Sequence, residues 1–248
     1  MEFNNQALIL KVGRFRETDL WVRFFSREQG LLTAFAFGGS RSRRRFCGCL
    51  DSLNHVHFKV RRSSVRDYLC LMEGVLLSSP KHIRTDSARL GIAANCLRFM
   101  EAAAPGPEDA PRIYSLTLET LKLLDQQTTA PSILPTFYKA SLLFKQRFWP
   151  DLEHCARCGT DLEQSGGFLG IDQGMMLCPT CRHCCAMPVR LDPDALAALR
   201  SLPKTPPSLW PGIFNMPQAS RQALGRAVEA MISYHLDLHW TNGRFIQR

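Results

Sequence analysis

The chain has 248 residues, 45% hydrophobic and 21% charged, which suits one or two globular domains with real cores. Its formal net charge is +9, and residues 1–80 carry 13 Lys and Arg against 7 Asp and Glu, so most of the surplus sits in the first third. There is no run of about 18 apolar residues, and "MEFNNQALIL" has neither a basic start nor a long apolar stretch. These features exclude a helical membrane span and lead us to expect a cytoplasmic chain. The charge asymmetry points to a polyanionic partner, a nucleic acid or an anionic membrane surface.

The first 80 residues read as strands. "QALILKV" is followed by the turn "GRFRETD", then "LWVRFF", the link "SREQG" and "LLTAFAF". In "HVHFKVR", Val56, Phe58 and Val60 alternate with His55, His57, Lys59 and Arg61, giving one apolar and one basic face. "YLCLMEGVLL" supplies a fifth run. Five short strands with Gly- and Asp-containing turns fit a small closed barrel of the OB type.

The stretch "FGGSRSRRRF" at 37–46 joins two of these strands. Arg41, Arg43, Arg44 and Arg45 give it four guanidinium forks suited to phosphate oxygens. Lys59, Arg61, Arg62 and Arg66 on the next hairpin, with Arg14 and Arg16 on the first turn, extend the track. A solvated arginine run and a nuclear-localisation signal are the competing readings; the barrel pattern and the charge skew favour nucleic acid. OB barrels hold single strands in a positive groove with aromatic rings for the bases. Trp21, Phe24, Phe25 and Phe46 are candidate stackers, although Phe24 and one of the others are expected in the core. Six phosphate contacts would give a log–log salt slope of about −4 on single strands.

Beyond Pro80 the period changes. Leu90, Ala93, Leu97 and Met100 share one helical face, as do Ile113, Leu116, Leu121 and Leu124. Phe137, Ala140, Phe144 and Phe148 form a third stripe, which "WPDL" stops at Pro150. "APGPEDAP" at 104–111 is a loop. Stripes of this kind pack against each other as a bundle. "RLDPDALAALRSL" starts another helix, with Asp192 as N-cap and Pro193 in the first turn. A last helix runs from about Pro217 to His239.

Six of the ten cysteines crowd into residues 155–185. Cys155-x-x-Cys158 and Cys178-x-x-Cys181, with nineteen intervening residues, have the spacing of a four-thiolate zinc site. "GGFLGIDQGMMLC" between them reads as two short strands joined by a turn at Asp172-Gln173-Gly174, which would bring the two knuckles face to face. His154, His183, Cys184 and Cys185 are surplus. One of them could replace a ligand, Cys184 for Cys181 above all, or all could be neighbours of the site.

Four thiolates leave no open coordination position, so the zinc is expected to be structural. None of the seven histidines is followed two residues later by Glu, and H-E-x-x-H, P-loop and G-x-S-x-G patterns are absent. No residue is nominated as catalytic. The competing functions are a zinc-dependent hydrolase or deaminase acting on nucleic acid and a sequence-specific DNA-binding regulator.

The sequence resembles the RecO family of bacterial DNA repair proteins, which are recombination mediators. The likeness rests on "ALILKVGRFRETDLWVRFFSREQGLLTAFAFGGSRSRRRF", with E-T-D, S-R-E-x-G and a basic G-x-R-x-x-x-R loop in order. It continues through "WPDLEHCARCG", "GGFLGIDQGMMLCPTC" and "YHLDLHWTNGRFI". The resemblance implies an α+β fold. Residues 1–80 would form an OB-fold nucleic-acid-binding barrel. Residues 81–248 would form a helical domain with a zinc-ribbon-like insert at about 152–186. It implies binding to single- and double-stranded DNA in recombinational repair (the RecF pathway), annealing of complementary strands and no enzymatic turnover. It further implies docking on the acidic C-terminal tail of single-stranded DNA-binding protein and, with RecR, help in loading RecA, in the bacterial cytoplasm at the nucleoid. The basic loop at Arg41–Arg45 falls in the family's DNA-binding barrel, and Cys155, Cys158, Cys178 and Cys181 match its zinc ligands. Two departures stand out: Arg147 where the family commonly has glycine, and the additional Cys184 and Cys185.

Overall fold

The computed structural model describes residues 2–64 and 67–247. The chain divides into two compact units, residues 1–90 with 104–125 and residues 91–103 with 126–248.

Strands β1 (Glu2–Arg14), β2 (Leu20–Ser26), β3 (Gly30–Ala36), β4 (His55–Arg62) and β5 (Leu69–Ser78) belong to the first unit. β1 pairs antiparallel with both β2 and β4, β2 with β3, and β4 with β5. A parallel pairing of β3 with β5, over Ala34↔Leu69 and Phe35↔Cys70, closes the ring. This is the OB-type connectivity expected from the sequence. Ile9, Val22, Phe24, Ala34, Ala36, Val56, Phe58, Val60 and Leu71 fill the interior. Their alternation with outward-facing neighbours is the period-two pattern that made these segments strands. Phe24 and Phe58 meet edge-on at 5.4 Å, and each ring buried this way contributes about 1.5–3 kcal/mol.

The long connection from β3 to β4 folds over the barrel. Phe46 and Cys49 reach into its core, and the Asn54 amide donates to the carbonyls of Gly48 and Cys49. A short helix, α1 (Lys81–Thr85), supplies Arg84, whose guanidinium grips Asp51, Ser52 and Asn54 in the same connection. β1 is buried on both faces from Ala7 to Leu10. One covering element is α3 (Ala110–Gln126), whose Tyr114 ring lies 6.2 Å from Phe25. The expected bundle of three stripes is therefore corrected: α3 packs on the barrel, because the apolar outer face of β1 and β2 needs a cover.

α2 (Ser87–Ala103) begins in the first unit and continues into the second. Asp86 caps it by accepting from the Ala88 and Arg89 backbone amides. Ala93, Leu97 and Met100 are buried as expected, but Leu90 is 44% exposed and drops out of the stripe.

The second unit is organised by α4 (Leu134–Lys145), α5 (Pro193–Ser201) and α6 (Gln218–Leu236). Asp192 caps α5 through the Ala195 amide, with Pro193 in the first turn, as the sequence indicates. Phe137 packs on Trp210 and Phe214 at the centre. Lys139 is buried, held by Glu229 at 2.6 Å with its ammonium over the Phe245 ring.

Two helix ends differ from expectation. α4 stops at Lys145, five residues before Pro150. Arg147 takes φ 62°, its N–H donates to Phe144 and the Phe148 N–H donates to Leu143, both at 3.0 Å. That is the Schellman ending normally given to glycine. α6 stops at Leu236, short of His239. Asp237 turns left-handed, and the chain forms a hairpin of β9 (Leu238–Thr241) and β10 (Arg244–Gln247) around Asn242-Gly243, both at positive φ.

Within residues 155–191, β6 (Gly167–Gly170) pairs with β7 (Met175–Leu177), and the turn falls where the sequence puts it. A third strand, β8 (Pro188–Leu191), pairs on the other side of β6. Among the described residues, no helix is long and apolar enough to cross a membrane.

Candidate metal centre and basic face

The Sγ atoms of Cys155, Cys158, Cys178 and Cys181 all lie within 4.8 Å of one another. Each pair sits on a tight turn. In the first, the Gly159 N–H donates to the Cys155 carbonyl at 2.8 Å, and Gly159 has φ 73°, which a side chain would strain. In the second, the Cys181 N–H donates to the Cys178 carbonyl. The Ala156 N–H donates to the Met176 carbonyl, which fastens the first turn to β7 and so to the strand leading into Cys178.

The geometry fits a tetrahedral ion. Zn–S bonds of about 2.3 Å give sulfur–sulfur edges of about 3.8 Å, and Cys158 and Cys178 are 3.7 Å apart. The Thr160 hydroxyl and backbone pull the Cys158 thiol down to about 6, with Cys155 and Cys178 assisting. Burial raises Cys155, but backbone N–H groups of Cys178, Cys158 and Arg157 more than offset it, and the net shift is downward. Cys181 goes the other way, to about 12, because the Cys178 thiol beside it, burial and the other two sulfurs all oppose a further negative charge. A cation is what allows four crowded sulfurs to ionise together. The four cysteines could therefore hold a metal ion, and their donor set is compatible with zinc.

The surplus groups stay outside this cluster. The Cys185 thiol is buried and donates to Asp172 at 3.2 Å. Cys184 caps the following turn through its N–H to the Cys181 carbonyl. His183 is exposed, and His154 faces Asp151 at 3.7 Å. The four sulfurs that converge include Cys181 and not Cys184, which agrees with the surplus groups being neighbours of the cluster.

The ten basic residues singled out in the sequence all belong to the first unit. Arg14 ends β1, and Arg16 follows in the turn with its guanidinium 5.4 Å from the Phe15 ring centre. Arg41, Arg43, Arg44 and Arg45 are exposed on the β3–β4 connection. Arg45 donates to the Phe37 carbonyl and lies 5.1 Å from the centre of the Phe46 ring, so its position is fixed. Lys59 and Arg61 point outward from β4, Lys59 towards Glu2 at 3.5 Å. Arg62 pairs with Asp67 at 2.7 Å. Arg66 lies outside the described residues.

Three of the four candidate stackers do not qualify: Phe24, Phe25 and Phe46 are buried. Only Trp21 is partly exposed. The outward rings are instead Phe35 and Phe37, Phe15 from the β1–β2 turn and Tyr68 from the β4–β5 hairpin. Phe15 and Phe35 have ring centres 5.0 Å apart, Phe35 and Phe37 6.2 Å, and Tyr68 meets Phe35 edge-on at 5.8 Å.

Two family models match the chain, "Recombination protein O N terminal" over residues 1–74 and "Recombination protein O C terminal" over residues 84–244. Proteins named DNA repair protein RecO are similar along its whole length. That of Oleidesulfovibrio alaskensis is 45% identical over 246 residues, covering 99% of both chains. Those of Solidesulfovibrio magneticus and Lawsonia intracellularis are 43% and 34% identical, each covering 100% of both chains. The chain belongs to the RecO family. A family of DNA repair proteins is consistent with a role in recombinational repair, and both the arginine connection and the cysteine cluster fall within its matched halves.

Sequence reasoning missed the exposed rings of this RecO-family barrel because "LLTAFAF" is apolar on both faces. The available signal was size. A narrow barrel takes the small Ala34 and Ala36 inward, which turns Phe35 and Phe37 out.

Proposed function

We propose that this protein is a non-enzymatic DNA-binding mediator of recombinational repair in the bacterial cytoplasm. It binds single- and double-stranded DNA, anneals complementary strands and, with RecR, helps load RecA on DNA coated with single-stranded DNA-binding protein. Residues 1–80 serve as the nucleic-acid-binding domain. Arg41, Arg43, Arg44 and Arg45 meet phosphates, and Arg14, Arg16, Lys59, Arg61 and Arg62 extend the track. Lys59 and Arg62 would exchange their carboxylate partners for phosphate oxygens. Residues 81–248 serve as the helical domain that receives the acidic tail of single-stranded DNA-binding protein.

The observation that carries this reading is the exposed four-arginine connection on a barrel of OB connectivity, in a chain of a DNA-repair family. The family's relatives being named for repair supports it as well. Cys155, Cys158, Cys178 and Cys181 hold a structural zinc. A hydrolase or deaminase would need an open coordination position, and a fourth sulfur takes it.

The test is annealing without nucleotide. Purified protein is mixed with complementary strands coated by single-stranded DNA-binding protein, and duplex formation is followed by fluorescence. Acceleration is expected; none would refute the annealing reading. Calorimetry against an acidic C-terminal peptide tests the partner. Binding should weaken with salt, and no heat at low salt would overturn that assignment.

A further inference from the structure

The outer face of β1, β2 and β3 carries rings where most barrels carry polar side chains. Gly13, Trp21 and Phe35 stand opposite one another in the strand register, forming one row across the three strands. Gly13 has no side chain, and the Trp21 indole occupies the space that one would need. Phe37 lies two residues beyond Phe35 on the same face, its ring within 21° of parallel. Phe15 and Tyr68 close in from the β1–β2 turn and the β4–β5 hairpin. Phe15 is 51% exposed and Phe37 40% exposed.

Apolar surface left open in this way marks a binding site more often than a solvent face. The charge around it selects the occupant. Arg16 lies against Phe15, Arg14 precedes it, and Arg45 is anchored on the Phe37 carbonyl. Flat rings beside guanidinium groups match a ligand that is itself flat, apolar and linked to phosphate. The face formed by β2 and β3, with the β1–β2 and β4–β5 loops, is also where OB barrels take oligonucleotides.

We infer that Phe15, Trp21, Phe35, Phe37 and Tyr68 form a stacking platform for unpaired nucleobases, which makes this protein distinguish single strands from duplex. The inference rests on the DNA-binding reading above and adds a division of labour to it. Arginines meet phosphates and so serve both forms of DNA. The rings need a base face, which a duplex keeps stacked inside itself and a single strand offers freely.

The experiment measures anisotropy of a labelled oligo(dT), the same length of abasic oligonucleotide and a matching duplex, at one salt concentration. The full chain is compared with F15A/F37A, F15L/F37L and F15Y/F37Y. Both side chains are exposed, and the leucine pair keeps apolar bulk while removing the rings. Stacking on aromatic rings is worth roughly tenfold per base. The expected result is a tenfold to hundredfold loss of oligo(dT) affinity in the alanine and leucine pairs, recovery in the tyrosine pair, and duplex affinity within about twofold throughout. The abasic strand should bind the unaltered chain as weakly as oligo(dT) binds the alanine pair. Unchanged oligo(dT) binding, or equal losses for both DNA forms, would overturn the platform and leave the arginine reading standing. Binding of neither DNA by the unaltered chain would overturn both.

Discussion

The cysteine cluster and the ringed barrel face solve opposite problems. In the cluster, four side chains turn towards one another until their sulfurs all lie within 4.8 Å of one another, and nothing remains for a substrate. On the barrel face, rings and guanidinium groups turn away from the core and leave their flat sides open. The first arrangement is closed on itself; the second is available to something outside it. Dense chemistry in a sequence is therefore no guide to where a protein works. Four of the six cysteines in 31 residues close on one another, and a run that looked like ordinary strand supplies part of the exposed surface.

The comparison can be tested at its strongest point first. Cys181→Ser should abolish stoichiometric zinc in metal analysis. It should also destabilise the second unit by several kcal/mol, since metal binding in small thiolate sites contributes about 10–16 kcal/mol to folding. DNA affinity should change little. A variant that keeps its metal and its melting temperature would show that the cluster is dispensable.

The open face responds to charge. Replacing Arg41, Arg43 and Arg44 together with alanine should lower the salt slope of single-strand binding from about −4 to about −2, read from titrations at several salt concentrations. Zinc content should stay constant. Gly74→Ala probes the barrel beneath. A Cβ there would stand 2.8 Å from the Phe58 ring and 2.9 Å from the Cys49 sulfur, and overpacking of this kind costs about 1–3 kcal/mol. Denaturant titration should register the loss without any effect on metal. The smallest change is a gain. Arg147→Gly should stabilise the protein by about 1 kcal/mol, because a left-handed side-chain residue carries about that penalty.

What could be read in advance follows the same division. The cysteine cluster was legible because spacing within a knuckle is a local property: Cys155 and Cys158, or Cys178 and Cys181, are brought together by their own turns. β4 was legible because Val56, Phe58 and Val60 alternate cleanly, and the other strands as short apolar runs between Gly- and Asp-containing turns. α3 was legible as a helix but not as a cover for the barrel, since periodicity says which face is buried and not what buries it. Phe35 and Phe37 were hidden by the uniform apolarity of β3, and their orientation depended on the width of the barrel. The β9–β10 hairpin was within reach. Asn242-Gly243 between short apolar runs is a strong turn signal, and the helical stripe of α6 was simply extended to His239, into the first strand of the hairpin.

The narrow join between β3 and β5 has a temporal consequence. A ring of strands has no edge, but this one is sealed by two residue pairs, against seven in each of the β1–β2 and β1–β4 ladders. Backbone amides along Ala34–Phe35 and Leu69–Cys70 should trade hydrogen for deuterium before those of the long ladders. Brief unsealing would then begin beside Phe35, giving the barrel a breathing rhythm set by its shortest ladder rather than by its core.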